Sequence, residues 1–191
     1  PASRAKCPWP VLPTLAIRST MPATAPSLQP RYSWADFVAL DEDDLRELVD
    51  GDLVEVEVPT GLHEWIVMYI GTMLGNWVLQ HGGKLLGSGY KVRIPDQGLT
   101  EGAPDLAVEV VSPTSGRHDR VTKLGWYASI GVGEYWLVDP ATRTIERLVL
   151  VQSDAGPRWQ IEDVVAEEGV FAPASFPGVQ VDLARLFELP E

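Results

Sequence analysis

The sequence contains very little cysteine, since Cys7 is the single one among 191 residues. One cysteine cannot form an internal disulfide or a multi-cysteine zinc site, so both frameworks are excluded. Long hydrophobic runs are also missing, because no stretch approaches the roughly 18 apolar residues that a membrane-spanning helix requires. The histidines, His63, His81 and His118, lack the paired spacing of a histidine zinc site. These features predict a cytoplasmic protein with no membrane contact.

Basic residues are scarce as well, with 15 Lys and Arg against 27 Asp and Glu and a net charge of −12. The negative electrostatic potential of such a protein argues against non-specific binding to nucleic acid or to an acidic membrane surface. The charge is unevenly spread, however, and residues 84–123 hold six basic residues against five acidic ones. If the protein contacts a phosphate backbone, this middle third is where electrostatics permits it. Chance segregation of charge in an acidic protein is the alternative.

Proline is concentrated at the start of the chain, where residues 1–31 hold seven of the 16 prolines and show no hydrophobic period. The prolines interrupt the apolar run that a secretory leader needs, so secretion is not expected. We expect residues 1–31 to form a poorly ordered arm and residues 32–191 to form a single domain. Met21 is a hypothetical natural start, which leaves open whether residues 1–20 belong to the native protein.

Hydrophobic spacing predicts helices and strands throughout the domain. The order of the elements predicts the mixed α/β (α+β) class, with a central mixed β-sheet flanked by helices, an N-terminal hairpin and C-terminal strands. Asp50 and Gly51 are typical of the hairpin turn. Helices are predicted at 34–40, 63–80, 117–130 and 182–187, and strands at 45–49, 53–58, 84–88, 90–94, 105–111, 134–138, 144–151 and 158–162.

The strand predicted at 105–111 carries an ionisable group among apolar residues. Glu109 lies in the middle of this strand, where an unpaired charge would cost several kcal/mol. A compensating partner is therefore expected. One candidate is a salt bridge to a basic residue of a helix packed on the sheet. The other is a divalent metal ion, since Mg²⁺ prefers one or two carboxylates and retains several waters.

The helix predicted at 117–130 offers such a partner. Asp119, Lys123 and Tyr127 are spaced by four residues and share one face of this helix. An ordinary pair between Asp119 and Lys123 is the plain interpretation of the spacing. The functional alternative places the Lys123 ammonium beside Glu109, where it would hold an attacking hydroxide or the negative charge that develops on a phosphate.

A larger set of residues matches one family pattern, and it consists of residues 108–115, Asp119, Lys123, Tyr127, 131–132 and 134–140, with 48–51, Glu55, His63 and 176–178 in addition. With these residues the chain, over about 32–188, resembles the Uma-two (Uma2) family of restriction-endonuclease-like proteins, within the PD-(D/E)xK nuclease superfamily. The resemblance implies a restriction-endonuclease-like core. It agrees with the mixed sheet that the spacing predicts.

The resemblance also implies a set of site residues. In the superfamily, an aspartate and the glutamate of a Glu-x-Lys motif bind Mg²⁺, and the lysine assists attack on phosphate. Glu109 corresponds to that glutamate, but Val111 stands where the lysine is expected. Lys123 of the following helix is then the replacement. Glu55 is a further catalytic candidate, and His63 is another for which a capping or packing role is favoured.

The first acid of the motif has two candidates. Asp96 follows a proline, as the family pattern requires, but residues 97–102 lack the character of a strand. Asp105 also follows a proline, but it lies on the Glu109 strand itself. At ~3.3 Å per residue the two Cα atoms would be about 13 Å apart, which is far for two ligands of one metal ion. We therefore prefer Asp96 as the metal ligand, with Asp105 as the alternative.

The resemblance implies a Mg²⁺- or Mn²⁺-dependent endonuclease that hydrolyses phosphodiester bonds in DNA. The sequence contains no zinc finger, helix-turn-helix or basic recognition helix, so any sequence specificity is expected to be weak or guided by a partner. A homodimer is the default expectation, because symmetric pairing is common and duplex cleavage requires two cuts. The alternative is a catalytically inactive nuclease-fold domain that binds protein or nucleic acid.

Overall fold

The computed structural model describes residues 31–41, 44, 46–49, 51–55, 58–87, 103–112, 117–154 and 156–190. Within these residues the helices are α1 (Trp34–Val38), α2 (Gly61–His81), α3 (Arg117–Ile130) and α4 (Leu183–Leu186). The strands are β1 (Glu47–Val49), β2 (Asp52–Val54), β3 (Leu106–Val110), β4 (Glu134–Asp139), β5 (Thr144–Ser153), β6 (Gly156–Ala166), β7 (Val170–Phe171) and β8 (Val181–Asp182). None of the helices described has the length and apolar character needed to cross a membrane.

A mixed sheet of four strands, in the order β3-β4-β5-β6, organises the described part of the domain. β3 and β4 run parallel, whereas the β4–β5 and β5–β6 pairs are antiparallel. A parallel pair requires a crossover connection, and α3 provides it. The pairing of β5 with β6 shifts register between Arg147 and Leu148, which marks a β-bulge. This sheet, with helices packed on it, confirms the predicted fold class.

One face of the sheet is covered by α2. Thr60 begins this helix by accepting a hydrogen bond from the His63 backbone N–H through its side chain. The buried face of the helix repeats at four-residue spacing, as the sequence predicts. Its residues pack with Trp136 of β4 and with the C-terminal part of the chain in the larger core cluster. The buried α2 residues are Ile66, Ile70 and Leu74.

The opposite face of the sheet is covered by α3. Leu124 and Tyr127 of this helix pack against Tyr135 and Leu137 of β4 in a second cluster. The Trp159 side chain of β6 joins the same cluster, and its Nε1 donates a 2.8 Å hydrogen bond to the Leu124 carbonyl. The crossover helix is therefore held by the inner strand β4 and by the edge strand β6.

β4 is one of the two inner strands of the sheet and the most buried strand, with five consecutive residues buried from Glu134 to Val138. Gly131 ends α3 with a φ of 82°, a value that glycine adopts without steric cost. The Glu134 amide then donates a 3.0 Å hydrogen bond to the Asp105 carbonyl, and the Val111 amide donates a 2.8 Å bond to the Val138 carbonyl. These two bonds extend the parallel pairing beyond both ends of β3.

The short N-terminal elements form as expected. Ser33 and Asp36 make a reciprocal capping box at the start of α1. β1 and β2 form a separate two-stranded antiparallel sheet. Gly51 lies in their turn with a φ of 85°, which suits a hairpin. In the described part of the chain the hairpin does not join the central sheet.

Two details of the predicted element order differ from the structure. Residues 84–87 form no strand, and the Leu85 side chain lies beside α2, 3.6 Å from where a Cβ of Gly75 would lie. The remainder of the strands predicted at 84–88 and 90–94 lies outside the described residues. β7 and β8 were not predicted, since two-residue strands carry too short an alternation to detect.

Candidate active site

Glu109 lies on β3, on the face of the sheet that α3 covers. Ala107 and Val111, two residues to either side, pack in the α3 cluster, because alternate side chains of a strand share a face. The parallel register places Glu109 opposite Leu137, which is buried. The Glu109 side chain is 26% exposed. A carboxylate that is largely desolvated in this way requires a cationic partner.

Lys123 of α3 is that partner. Its Nζ donates a 2.6 Å hydrogen bond to Oε1 of Glu109, and the lysine side chain is 16% exposed. A charge-assisted hydrogen bond of this length offsets the desolvation of both groups. One turn further along α3, the Tyr127 ring lies 5.3 Å from the Tyr135 ring of β4. This contact fixes which face of α3 meets the sheet and so directs Lys123 toward Glu109.

A second carboxylate approaches the same ammonium from the N-terminal hairpin. Oε1 of Glu47, on β1, lies 4.0 Å from Nζ of Lys123, and the Glu47 side chain is 47% exposed. This residue was not predicted from the sequence. The sequence places Glu47 on a predicted hairpin strand, but it does not reveal which side of the hairpin faces the domain.

Glu55, the hairpin residue that the sequence did single out, does not share that position. Glu47 is paired with Val54, so Glu55, the next residue along, points to the other side of the hairpin. Glu55 is exposed. Its charge helps to raise the pKa of the Arg46 guanidinium, after the larger effect of the hydrogen bonds that Arg46 donates to Asp44.

The remaining predicted site residues are placed as follows. Asp96 lies outside the described residues. Asp105 is exposed at the opposite end of β3 from Val110, where its backbone carbonyl pairs with β4. The His63 ring lies 3.4 Å from Oε1 of Glu64 at the start of α2. The structure therefore brings together Glu109 and Lys123 and keeps Asp105 at the other end of the strand.

The Glu109 carboxylate retains the chemistry of a metal ligand. One of its oxygens accepts the lysine hydrogen bond, and in the described part of the chain no hydrogen bond reaches the other, Oε2. Partial exposure admits the water molecules that Mg²⁺ retains. Among the described residues there is no group of three or more His, Cys, Asp or Glu side chains that could hold a metal ion. A metal ion on Glu109 would therefore need further ligands from elsewhere in the chain or from a substrate.

A buried ion pair on the other face of the sheet was not expected from the sequence. Glu134 and Arg147 are 6% and 8% exposed, and Arg147 donates to both carboxylate oxygens, through Nε at 2.9 Å and Nη2 at 3.1 Å. Trp136 Nε1 donates a further 2.6 Å hydrogen bond, and the Ser175 hydroxyl another. Burial acts to raise the pKa of Glu134, but these hydrogen bonds outweigh it and hold the pKa below its ordinary value.

This pair stabilises the framework of the domain. It links β4, β5 and the segment before β8, since Arg147 Nη2 also donates a 2.9 Å hydrogen bond to the Ser175 hydroxyl. The signal available in the sequence was a glutamate at the start of an otherwise apolar strand. No local pattern pairs it with an arginine on the next strand.

The fold of this chain is similar to that of a solved structure. A structure similar to this one is a crystal structure of a "putative nuclease belonging to DUF820" from Anabaena variabilis ATCC 29413. It has a TM-score of 0.56 and 19% sequence identity, and the match covers 80% of this chain and 96% of that one. No curated protein matches the chain. The similarity establishes a shared fold.

A family description matches the part of the chain that carries the candidate site. The match is to Uma2, described as "Putative restriction endonuclease", over residues 93–184. That segment contains Glu109 and Lys123, as well as Asp96 and Asp105. The resemblance to the Uma2 family that the sequence indicated is therefore confirmed over this segment.

Proposed function

We propose that this protein is a metal-dependent DNA endonuclease of the restriction-endonuclease-like, PD-(D/E)xK type. The observation that carries the proposal is the 2.6 Å contact between Glu109 and Lys123 on a nuclease fold. The match to a restriction endonuclease family over the same segment supports a nuclease-like function. The pair supplies a carboxylate that can bind a metal and a cation that can stabilise negative charge.

In this proposal the site residues have different roles. Glu109 and Asp96 would hold Mg²⁺ or Mn²⁺, with Asp105 as the alternative to Asp96. A bound ion of this kind polarises a phosphate and lowers the pKa of a water molecule. The Lys123 ammonium orients the attacking oxygen and stabilises the charge that develops on the phosphate. Glu55 is a further candidate for the catalytic set.

The proposed substrate is DNA, bound with weak or partner-guided specificity. A net charge of −12 disfavours a broad phosphate contact, so binding is confined to the segment around residues 84–123, whose charges nearly cancel. A bound divalent ion would further reduce the local repulsion of phosphate. We also propose a homodimer, which would bring two sites to the two strands, and a cytoplasmic location.

Cleavage of a supercoiled plasmid with Mg²⁺ or Mn²⁺ tests the proposal. The parent should nick or linearise the plasmid, and both Glu109→Gln and Lys123→Met should lower the rate by about 10²-fold or more, as removal of a transition-state charge stabiliser does. Asp163→Asn is a matched control, since it removes a carboxylate from the edge strand β6 on the other face of the sheet. Activity that survives in both site variants would contradict the assignment.

A second candidate function is an inactive nuclease-fold domain that binds protein or nucleic acid. It is favoured by the direct contact of Lys123 with Glu109, which satisfies one carboxylate oxygen without any metal. The two candidates differ in their response to Mn²⁺. Isothermal titration of the full chain should detect Mn²⁺ binding that Glu109→Gln abolishes if the protein is an enzyme. DNA binding that is equal with EDTA and with Mn²⁺, without cleavage, would favour the binding domain.

A further inference from the structure

Trp159 of β6 packs under α3 and contacts the turn of the helix that carries Lys123. Its Nε1 donates a 2.8 Å hydrogen bond to the backbone carbonyl of Leu124, the residue directly after Lys123. We propose that Trp159 is a positioning residue, which fixes this turn of α3 so that the lysine ammonium meets Glu109. The effect on catalysis rests on the proposed function, whereas the effect on the contact between Lys123 and Glu109 does not.

The hydrogen bond from Trp159 is additional to the hydrogen bonding of the helix itself. Inside an α-helix a carbonyl oxygen accepts a bond from the N–H four residues later, and Leu124 lies inside α3. A carbonyl oxygen has a second lone pair, which is available to the indole N–H. Apolar packing is non-directional, but a hydrogen bond of 2.8 Å holds two groups at a defined separation. The bond therefore fixes the position of α3 more closely than packing alone does.

The Trp159 ring is itself held in place by the sheet. Its centroid lies 5.8 Å from that of the Tyr135 ring, in the cluster that packs beneath α3. Tyr135 is almost fully buried on the inner strand β4, and its ring also contacts Tyr127 of the helix at 5.3 Å. Because the indole is packed in this way, its N–H is directed toward the helix before any other contact forms there.

Two consecutive residues of α3 are thus held by the two edge strands of the described sheet. Lys123 contacts Glu109 on β3 at 2.6 Å, and Leu124 accepts the bond from Trp159 on β6. A displacement of this turn by about 1 Å would carry the ammonium beyond hydrogen-bond distance of the carboxylate. The lysine side chain is largely buried, so it has little free space in which to compensate for such a displacement.

Another tryptophan provides a matched control for this hydrogen bond. Nε1 of Trp65, on α2, donates a 3.3 Å hydrogen bond to the backbone carbonyl of Arg185. Helix α2 covers the face of the sheet opposite to the one that carries Glu109. Trp65→Phe therefore removes an indole donor of the same chemistry from a backbone carbonyl, but at a distance from the site. It separates a general loss of stability from a change in the contact between Lys123 and Glu109.

A double-mutant cycle between Glu109→Gln and Lys123→Met, in the full chain with EDTA, measures their coupling as a shift in Tm. The cycle isolates this pair from the other contacts of either residue. We expect the coupling to fall by at least half when the cycle is repeated with Trp159→Phe. With Trp65→Phe the Tm of every variant should drop while the coupling stays at its parent value. Equal coupling in the two tryptophan backgrounds would overturn the inference.

A second variant keeps the test decisive if Trp159→Phe does not fold. Incorporation of 3-benzothienylalanine at position 159 preserves the bicyclic shape of the side chain but replaces the indole N–H by sulfur. The packing against Tyr135 is then retained and only the hydrogen bond to Leu124 is lost. The coupling in Tm should fall as in the phenylalanine variant, and a coupling equal to that of the parent would overturn the inference.

Kinetics of plasmid cleavage test the effect on catalysis. Trp159→Phe should lower kcat about tenfold, as a displacement near 1 Å can do, and should change KM for DNA less than twofold. Trp65→Phe should leave kcat unchanged. In a Lys123→Met background Trp159→Phe should cause no further loss, because it acts through the lysine, and a further loss there would overturn the inference. A parent that cuts no DNA would refute the proposed nuclease, and the coupling in Tm would then decide the positioning role alone.

Discussion

Removing the buried carboxylate of Glu134 should be among the most damaging single changes in this domain. In Glu134→Ala, the nearly buried Arg147 loses both of its short hydrogen bonds to that carboxylate, at 2.9 and 3.1 Å. Trp136 Nε1 also loses its acceptor. Breaking one side of a buried ion pair costs about 3–5 kcal/mol, and Arg147 would keep only the half-exposed Asp163 carboxylate, at 3.4 Å, as an anionic partner among the described residues. This loss is a large share of the 5–15 kcal/mol that typically separates folded from unfolded domains.

Urea unfolding at pH 7, followed by tryptophan fluorescence, measures this loss as a drop in the free energy of unfolding. The control is Asp163→Asn, because Asp163 contacts the same arginine at 3.4 Å but is 50% exposed. An exposed ion pair contributes less than about 1 kcal/mol, so the control should unfold near the parent. The reasoning is refuted if Glu134→Ala unfolds within about 1 kcal/mol of the parent.

The same residue makes stability depend on pH. The pKa of Glu134 is lowered in the folded protein, so the group contributes stability that is fully present above its unfolded pKa of about 4.3. That contribution is lost as the pH falls through the folded pKa. The difference in unfolding free energy between the parent and Glu134→Gln should therefore shrink as the pH is lowered below about 4.3.

Two further predictions concern the supports of the candidate site. Gly51→Ala places a side chain at a φ of 85° and should lower the free energy of unfolding by roughly 1–2 kcal/mol, with the amides of β1 and β2 exchanging faster than in the parent. Trp159→Phe removes the 2.8 Å hydrogen bond to the Leu124 carbonyl and should cost about 1 kcal/mol, measured by urea unfolding. Unchanged exchange in the first case, or unchanged stability in the second, would contradict these assignments.

The pairing of Glu109 with Lys123 was within reach of the sequence because it depends on local rules. Alternation along the strand places the Glu109 side chain on one face of the sheet. The helix that connects two parallel strands packs against a face of the same sheet. The four-residue spacing of Lys123 and Tyr127 then selects the side of the helix that meets the sheet. Three local constraints thus favour this contact, although the sequence left a pair of Asp119 with Lys123 and a metal ion on Glu109 as alternatives.

The contacts of Glu47 and of Glu134 could not be predicted from the sequence, because they depend on how separate elements are arranged in space. Glu47 meets Lys123 only because a separate hairpin docks near α3, and no periodicity records how two sheets are arranged. Glu134 meets Arg147 through a strand pairing whose register is fixed by the turn between them. Asp96, the preferred first acid of the motif, lies outside the described residues, so its role as a metal ligand stays a prediction.

The topology of the central sheet has a consequence for the order in which the site is assembled. β4, β5 and β6 follow one another along the chain and pair as neighbours, so this meander can form from contacts of short sequence separation. β3 joins it only after the whole α3 crossover has closed a longer loop. During refolding we therefore expect β3, the strand that carries Glu109, to pair with β4 after the β4–β6 meander has formed, so that a partly folded chain contains the scaffold before it contains the complete site.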